Sequence, residues 1–178
     1  LVGQPEITGQ DVIVPGDISS AAFPIVAALI TPGSDITIEN IGINPLRAGL
    51  LDSLKDMGAD IEILNPRDNA GEPVADIQIR YSMLKGAVIP ASRAPSMIDE
   101  YPILSVAAAL ADGTSVFEGI GELRVKESDR LDAMAEGLKD CGIETETTKD
   151  SLTIHGLNGA PNGGVTIASR LDHRIAMS

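Results

Sequence analysis

The chain holds one cysteine, two histidines, no tryptophan and only 2% aromatic residues, and each scarcity closes off a class of protein. Cys141 alone cannot close an intrachain disulfide, so no disulfide scaffold holds the chain together. Its setting in Leu138-Lys139-Asp140-Cys141-Gly142 reads as a helix end with a small buried side chain. Structural zinc needs four ligands, mostly Cys and His at close spacing, whereas Cys141, His155 and His173 lie far apart, so no metal site is expected. Positive charge is scarce as well, with 13 Lys and Arg against 26 Asp and Glu and a net charge of -13. That balance, with so few aromatics, argues against a nucleic-acid surface, which relies on phosphate neutralisation and base stacking. Long apolar runs are missing too: 21–30 and 101–111 are the longest, well short of the roughly 20 residues that span a bilayer, so no membrane partner is expected. The first residues, Leu1-Val2-Gly3-Gln4-Pro5, show no initiator Met, basic n-region or cleavage signature, which reads as a start internal to a longer sequence without a signal peptide.

What remains is the composition of a soluble globular protein: 178 residues, 43% hydrophobic and 22% charged, enough for a sizeable core in one domain or two small ones. Short apolar β-type runs alternate with helix-period runs, and Gly or Pro stands at most junctions. Strands are expected over 11–14, 35–38, 60–64, 75–80, 114–117, 144–147, 151–155 and 164–167, and helices from near Ile18, Pro45, Ile98, Ser128 and Asp172. The helix over 46–57 puts Leu46, Leu50, Leu54 and Met57 on one face; that over 128–140 does the same with Leu131, Met134, Ala135 and Leu138. The run 98–111 is apolar nearly all round, as an enclosed central helix would be.

The chain also repeats. A shift of 78 lays Phe23-Pro24-Ile25 on Tyr101-Pro102-Ile103, and a shift of 80 lays Val26-Ala27-Ala28 on Val106-Ala107-Ala108 and Gly33 on Gly113. Glu39, Ile41 and Gly42 then match Glu118, Ile120 and Gly121, and the second helix of each copy closes on Met57-Gly58 or Cys141-Gly142. The unit is β-α-β-α-β-β, and a third copy begins at Leu171-Asp172-His173-Arg174, where Asp172 matches Asp17. The fold class is therefore α/β (α+β), with duplicated units around one core.

Basic residues cluster locally: Arg124, Lys126 and Arg130 fall together, and Arg170 and Arg174 flank the third copy. In Arg124-Val125-Lys126-Glu127-Ser128-Asp129-Arg130, Ser128 is a fair helix cap, which leaves Lys126 and Glu127 on the loop at the helix mouth. Free N–H groups and nearby cations there suit a phosphate or carboxylate. Screening over roughly 8 Å lets such a cluster act despite the acidic whole. By spacing alone, the cluster is equally an exposed helix start laced with i,i+3 and i,i+4 pairs. Asp99 and Asp172 are caps or functional carboxylates, and His173 is a surface residue or a base.

Several stretches then resemble one family, the 5-enolpyruvylshikimate-3-phosphate synthases, in the wording of the class II, glyphosate-tolerant bacterial branch. They are 124–130, 171–177, Pro15-Gly16-Asp17-Ile18-Ser19-Ser20-Ala21, Asn44-Pro45-Leu46-Arg47 and Ala94-Pro95-Ser96-Met97-Ile98-Asp99-Glu100-Tyr101-Pro102. The resemblance implies two enolpyruvyl transferase-like domains, each of three βαβαββ units with helices inside and sheets outside. Residues 1–14 would end one domain and cross over; 15–178 would form most of the other, its third unit cut short. The implied reaction moves the enolpyruvyl group of phosphoenolpyruvate to the 5-hydroxyl of shikimate-3-phosphate and releases phosphate. Asp99 would accept the hydroxyl proton and contact substrate, Glu127 would be the acid/base at the methylene carbon, and Lys126 would contact shikimate-3-phosphate. Arg130 and Arg174 would hold phosphoenolpyruvate, whose anions suit the guanidinium fork. The resemblance implies no metal, no cofactor, a cytoplasmic setting and a monomer at full length. The family's Lys-Ser loop, Gly-containing phosphoenolpyruvate loop and Ser-x-Gln motif do not occur in this chain, so these residues alone are expected to be inactive. Competing readings are the sister transferase acting on UDP-N-acetylglucosamine, which shares the fold and donor, and a non-catalytic anion-binding fragment.

Overall fold

A computed structural model describes residues 3, 8, 9 and 11–178 of the chain. The expected domain end over 1–14 therefore lies in part outside the described residues. The first unit runs through helix α1 (Ile18–Ile30), strand β1 (Asp35–Gly42), α2 (Gly49–Asp56), β2 (Asp60–Asn69) and β3 (Glu72–Arg80). The second adds a short strand β4 (Val88–Ile89) and two 3-10 helices (Ala91–Ser96 and Ile98–Glu100) before α3 (Tyr101–Leu110). It continues with β5 (Asp112–Phe117), a 3-10 helix at Gly121–Val125, α4 (Arg130–Asp140), β6 (Glu144–Thr147) and β7 (Leu152–Leu157). Helix α5 (His173–Met177) follows.

Each unit folds its three long strands the same way. The sheets are ordered β1-β3-β2 and β4-β5-β7-β6, so in both the last strand of the unit pairs antiparallel between the other two. The strand ahead of the first helix also has a counterpart in each unit. Gly16 bridges Ile41 in parallel, and β4 pairs parallel with β5 through Val88 with Val116 and Ile89 with Phe117. The βαβαββ repeat read from the sequence is thus observed in the second unit, and in the first with its opening strand reduced to the Gly16 bridge.

The helices lie between the sheets because their sequences leave them no polar face. Helix α1 packs on β1 and β3, α3 on β7, and the two pack on each other. Ile18, Ala22, Ile25, Val26 and Leu29 of α1 and Tyr101, Leu104, Ala107 and Ala108 of α3 are buried, as the apolar run 98–111 predicts. Gly156 lets α3 lie this close, since a Cβ there would stand 2.2 Å from the Ala111 carbonyl oxygen and 2.7 Å from that of Ala108. Helices α2 and α4 are amphipathic and cover the flanks, and each ends at a glycine with positive φ, Gly58 (86°) and Gly142 (83°), the backbone form that favours glycine after a helix.

Several expected elements fail. Residues 11–14 form no strand; Val12, Ile13 and Val14 are exposed, and the pairing with β1 is confined to Gly16. Residues 164–167 form no strand either, because no neighbouring strand among the described residues lies there to complete a ladder. Helix α2 begins at Gly49, not Pro45: Leu46 is 79% exposed, and of the four expected positions Leu50, Leu54 and Met57 are buried, with Leu51 beside them. The run from Ile98 opens as a 3-10 helix before α3 proper, and Cys141 closes α4 only partly buried. No helix among the described residues is long and apolar enough to cross a membrane.

Candidate functional site

The starts of α1, α3 and α5 meet, and the charged residues of the chain's best-defined cluster meet with them. At the mouth of α1, Asp17 caps the helix by accepting from the Ser20 N–H at 3.0 Å, as its match Asp172 caps α5 by accepting from the Arg174 N–H at 2.9 Å. Burial works against the Asp17 charge, but the Ser20 hydroxyl and N–H, the Ser19 N–H and Arg47 outweigh it and hold its carboxyl below the usual range. Arg47 Nη2 donates to both Asp17 Oδ1 at 3.2 Å and Ser19 Oγ at 3.1 Å.

At the centre lies Arg130, with a side chain only 1% exposed. It is the first residue of α4, and Asp129, not Ser128, is the N-cap, accepting from the Asp132 N–H at 2.9 Å. The helix start at Asp129 turns Ser128 into the site, where its hydroxyl donates to Asp172 Oδ2 at 3.0 Å. Three carboxylates surround the guanidinium: Nε donates to Asp172 Oδ2 at 2.8 Å, Nη1 to Asp99 Oδ1 at 2.9 Å and Nη2 to Glu127 Oε2 at 2.6 Å. Asp99 and Glu127 are partly open to solvent, whereas the Asp172 side chain is 0% exposed. Burial opposes the charge of both Arg130 and Asp172. Their mutual pairing outweighs it, assisted for Arg130 by Glu127 and Asp99 and for Asp172 by the Arg174 N–H and Ser128, so Arg130 titrates higher and Asp172 lower than usual.

The other two expected cations stand apart. Lys126 Nζ pairs with Glu122 Oε1 at 2.8 Å; that hydrogen bond raises its pKa against some desolvation, with smaller help from the charges of Glu122 and Asp99. Arg174 Nη1 donates to the Ser19 carbonyl oxygen at 3.3 Å and lies 4.0 Å from Glu100 Oε1. Asp99 and Glu127 are therefore each in direct contact with Arg130, Arg174 touches the group only by its backbone N–H to Asp172, and Lys126 stands at the edge. Arg124 and Arg170 brace the surroundings. Arg124 reaches the Thr148 and Lys149 carbonyls and Asp129, and Arg170 pairs with Asp132 and Glu136. No group of three or more His, Cys, Asp or Glu among the described residues could hold a metal ion. A concave surface of about 480 Å³ adjoins α5 but is lined chiefly by apolar groups such as Val106, Met134 and Ile167, away from the charges.

Sequence reasoning missed the weight carried by Asp172 and the involvement of Ser19 and Glu100. The match of Asp172 to Asp17 was the available signal, since two caps at corresponding helix starts place their neighbours at a common mouth.

This arrangement can bind anions and exchange protons: guanidinium groups are fixed while two carboxylates remain accessible. A family model described as EPSP synthase (3-phosphoshikimate 1-carboxyvinyltransferase) matches residues 1–178. Proteins named 3-phosphoshikimate 1-carboxyvinyltransferase from Paramagnetospirillum magneticum and Chelativorans sp. are 61% and 62% identical over the whole chain. The chain spans 40% of the length of each. The solved EPSP synthase of Acinetobacter baumannii superposes with a TM-score of 0.95 at 48% identity, covering 99% of this chain and 41% of that one. The enolpyruvyl transferase NikO of Streptomyces tendae shares the fold at a TM-score of 0.58 and 18% identity, over 80% of this chain and 30% of its own.

Proposed function

Because the chain belongs to the EPSP synthase family, we propose that it supplies one wall of an active site that transfers the enolpyruvyl group of phosphoenolpyruvate to the 5-hydroxyl of shikimate-3-phosphate. The observation that carries this reading is the Arg130 guanidinium, buried and held at once by Asp172, Asp99 and Glu127. A fixed cation flanked by two reachable carboxylates suits a reaction in which a bound anion gains and loses protons.

In this reading Arg130 and Arg174 bind phosphoenolpyruvate and Lys126 leaves Glu122 to meet shikimate-3-phosphate. Asp99 accepts the proton of the attacking 5-hydroxyl as its oxygen bonds to C2. Glu127 delivers a proton to the methylene carbon and takes one back as phosphate departs, and Asp99 passes the hydroxyl proton to the leaving phosphate, so both carboxyl groups end as they began. Asp172 orients Arg130 and the start of α5. Residues 15–178 belong to one domain, and the remaining substrate contacts come from the 60% of the relatives' length that lies beyond the match. The reading includes a cytoplasmic, monomeric, cofactor-free enzyme of aromatic amino-acid biosynthesis.

Calorimetry tests it. The 178-residue chain is expected to bind phosphoenolpyruvate or shikimate-3-phosphate weakly and not UDP-N-acetylglucosamine; preference for the last would turn the reading to the sister transferase. Arg174→Ala is expected to weaken phosphoenolpyruvate, and unchanged affinity would remove Arg174 from the donor site. Phosphate release from both substrates by this chain alone would overturn the expectation that it is inactive by itself.

A further inference from the structure

Glu100 lies beside the site, 4% exposed at its side chain, and its Oε1 has no hydrogen-bond partner among the described residues. A buried carboxylate oxygen without a partner is costly, and few native groups remain so without a role. Its nearest cation is Arg174, whose Nη1 stands 4.0 Å away. Ser19 joins the two neighbourhoods: its carbonyl accepts from Arg174 and its hydroxyl from Arg47, so Arg47 is already engaged with Ser19 and Asp17. Among the described residues the Arg174 guanidinium makes a single hydrogen bond, to the Ser19 carbonyl oxygen, and the Glu100 carboxylate stands beside it at 4.0 Å.

We propose that Glu100 is a positioning residue that holds the Arg174 guanidinium at the meeting point of α1, α3 and α5, setting the place at which Arg174 receives an anion. The anion it receives follows from the functional reading above; the positioning does not. Burial pushes the Glu100 carboxyl up, against the Ser19 hydroxyl, Arg174 and Arg47, while Asp99 beside it adds repulsion. Glu100 therefore keeps its proton to higher pH than an ordinary glutamate, and its hold on Arg174 loosens as it protonates.

The test is 15N relaxation of the arginine Nε–Hε groups in the 178-residue chain. Glu100→Gln is expected to drop the Arg174 order parameter well below that of Arg130 in the same variant, while Arg130, held by Asp172, Asp99 and Glu127, keeps its parent value. Glu100→Asp, which keeps the charge and withdraws it by one methylene, is expected to fall between and serves if the glutamine variant does not fold. In the parent, Arg174 order is expected to rise with pH as Glu100 ionises, a dependence absent in Glu100→Gln; Arg47, Asp17 and Asp99 are common to both. Unchanged Arg174 order in either variant, or loosening of Arg174 and Arg130 together, overturns the proposal. Phosphoenolpyruvate added to the parent separates the two claims: no shift at Arg174 beside an intact Glu100 effect sinks the donor-site reading and leaves the positioning role standing.

Discussion

Between β1 and α2 the first unit crosses residues 43–48, whereas between β5 and α4 the second crosses 118–129, about twice the length, and that longer connector carries Lys126 and Glu127 to the mouth of α4. A second divergence lies one element earlier. The shift of 78 that aligns Phe23-Pro24 with Tyr101-Pro102 sets Ala21 and Ala22 against Asp99 and Glu100. In the first unit those positions are buried turns of a regular helix; in the second they form the 3-10 turn ahead of α3. The duplicated scaffold supplies sheets, packed helices and a common mouth. In the proposed reading, chemistry enters where the second copy departs from the first, as sites do when they are added to a fold that stands without them.

Removing the centre of the divergent copy breaks the comparison most. Arg130→Ala leaves the Asp172 carboxylate buried without its cation, and about 3–5 kcal/mol of stability is expected to be lost, readable as a shift in the urea midpoint. The pH dependence fixes the cause. The folded-state pKa of Asp172 lies below the ordinary aspartate value of 3.8, so its contribution is present above about 3.8 and lost as pH falls through the folded value. In Arg130→Ala burial acts without that partner and the folded pKa rises, so the deficit against the parent is expected to narrow as pH falls. A deficit constant from pH 7 to 3 would place the loss in packing instead.

What the two copies share is tested by Gly58→Ala and Gly142→Ala. Both residues sit at φ above 80° after an outer helix, and a Cβ in that conformation costs roughly 1–2 kcal/mol. A Cβ at Gly58 meets nothing within 4 Å, but one at Gly142 comes 2.3 Å from Asn162 Nδ2. Both variants are expected to lose thermal stability through the shared backbone strain, the Gly142 variant more by whatever moving the Asn162 side chain costs.

Caps give a smaller contrast. Helix α4 has Asp129 bonded to the Asp132 N–H, while α2 starts at Ala48 without a side-chain cap. Asp129→Ala is expected to cost about 1 kcal/mol, and Ala48→Gly, at a position with no such bond to lose, much less, as measured by chemical denaturation.

The repeat and the enclosed helices were legible because apolar periodicity and paired glycines are local properties: the lines Gly33 with Gly113 and Met57-Gly58 with Cys141-Gly142 needed no tertiary knowledge. Residues 11–14 and 164–167 misled for the converse reason, since a β-type run becomes a strand only with a neighbour to pair with. In the site, Asp99, Glu127 and Arg130 were found through motif wording, and the structure brings them into contact. Glu100 escaped because a carboxylate next to Asp99 looks like another helix-start acid until burial is known. Asp172 read as a cap and is one; its second task, holding Arg130 from 42 residues away, is a tertiary fact.

The smallest expected effect lies on the sheets, far from the site. In the first sheet Arg80 at the end of β3 stands between Asp35 and Asp60 and reaches Glu62, with N–O separations of 3.3 to 3.6 Å. The corresponding place in the second sheet is held by Leu157, facing Asp112. The first sheet thus ties three strands with one exposed cation where the second uses an apolar residue. Exposed pairs in high dielectric, with long side chains to order, contribute little. Arg80→Leu, which copies the second sheet into the first, is therefore expected to move the denaturation midpoint slightly at 10 mM salt and not at all at 1 M. Over that interval the Debye length falls from about 30 Å to about 3 Å. A loss that persists at 1 M salt would mean that the Arg80 stem contributes packing across β1 and β2, and that the two sheets differ in more than charge.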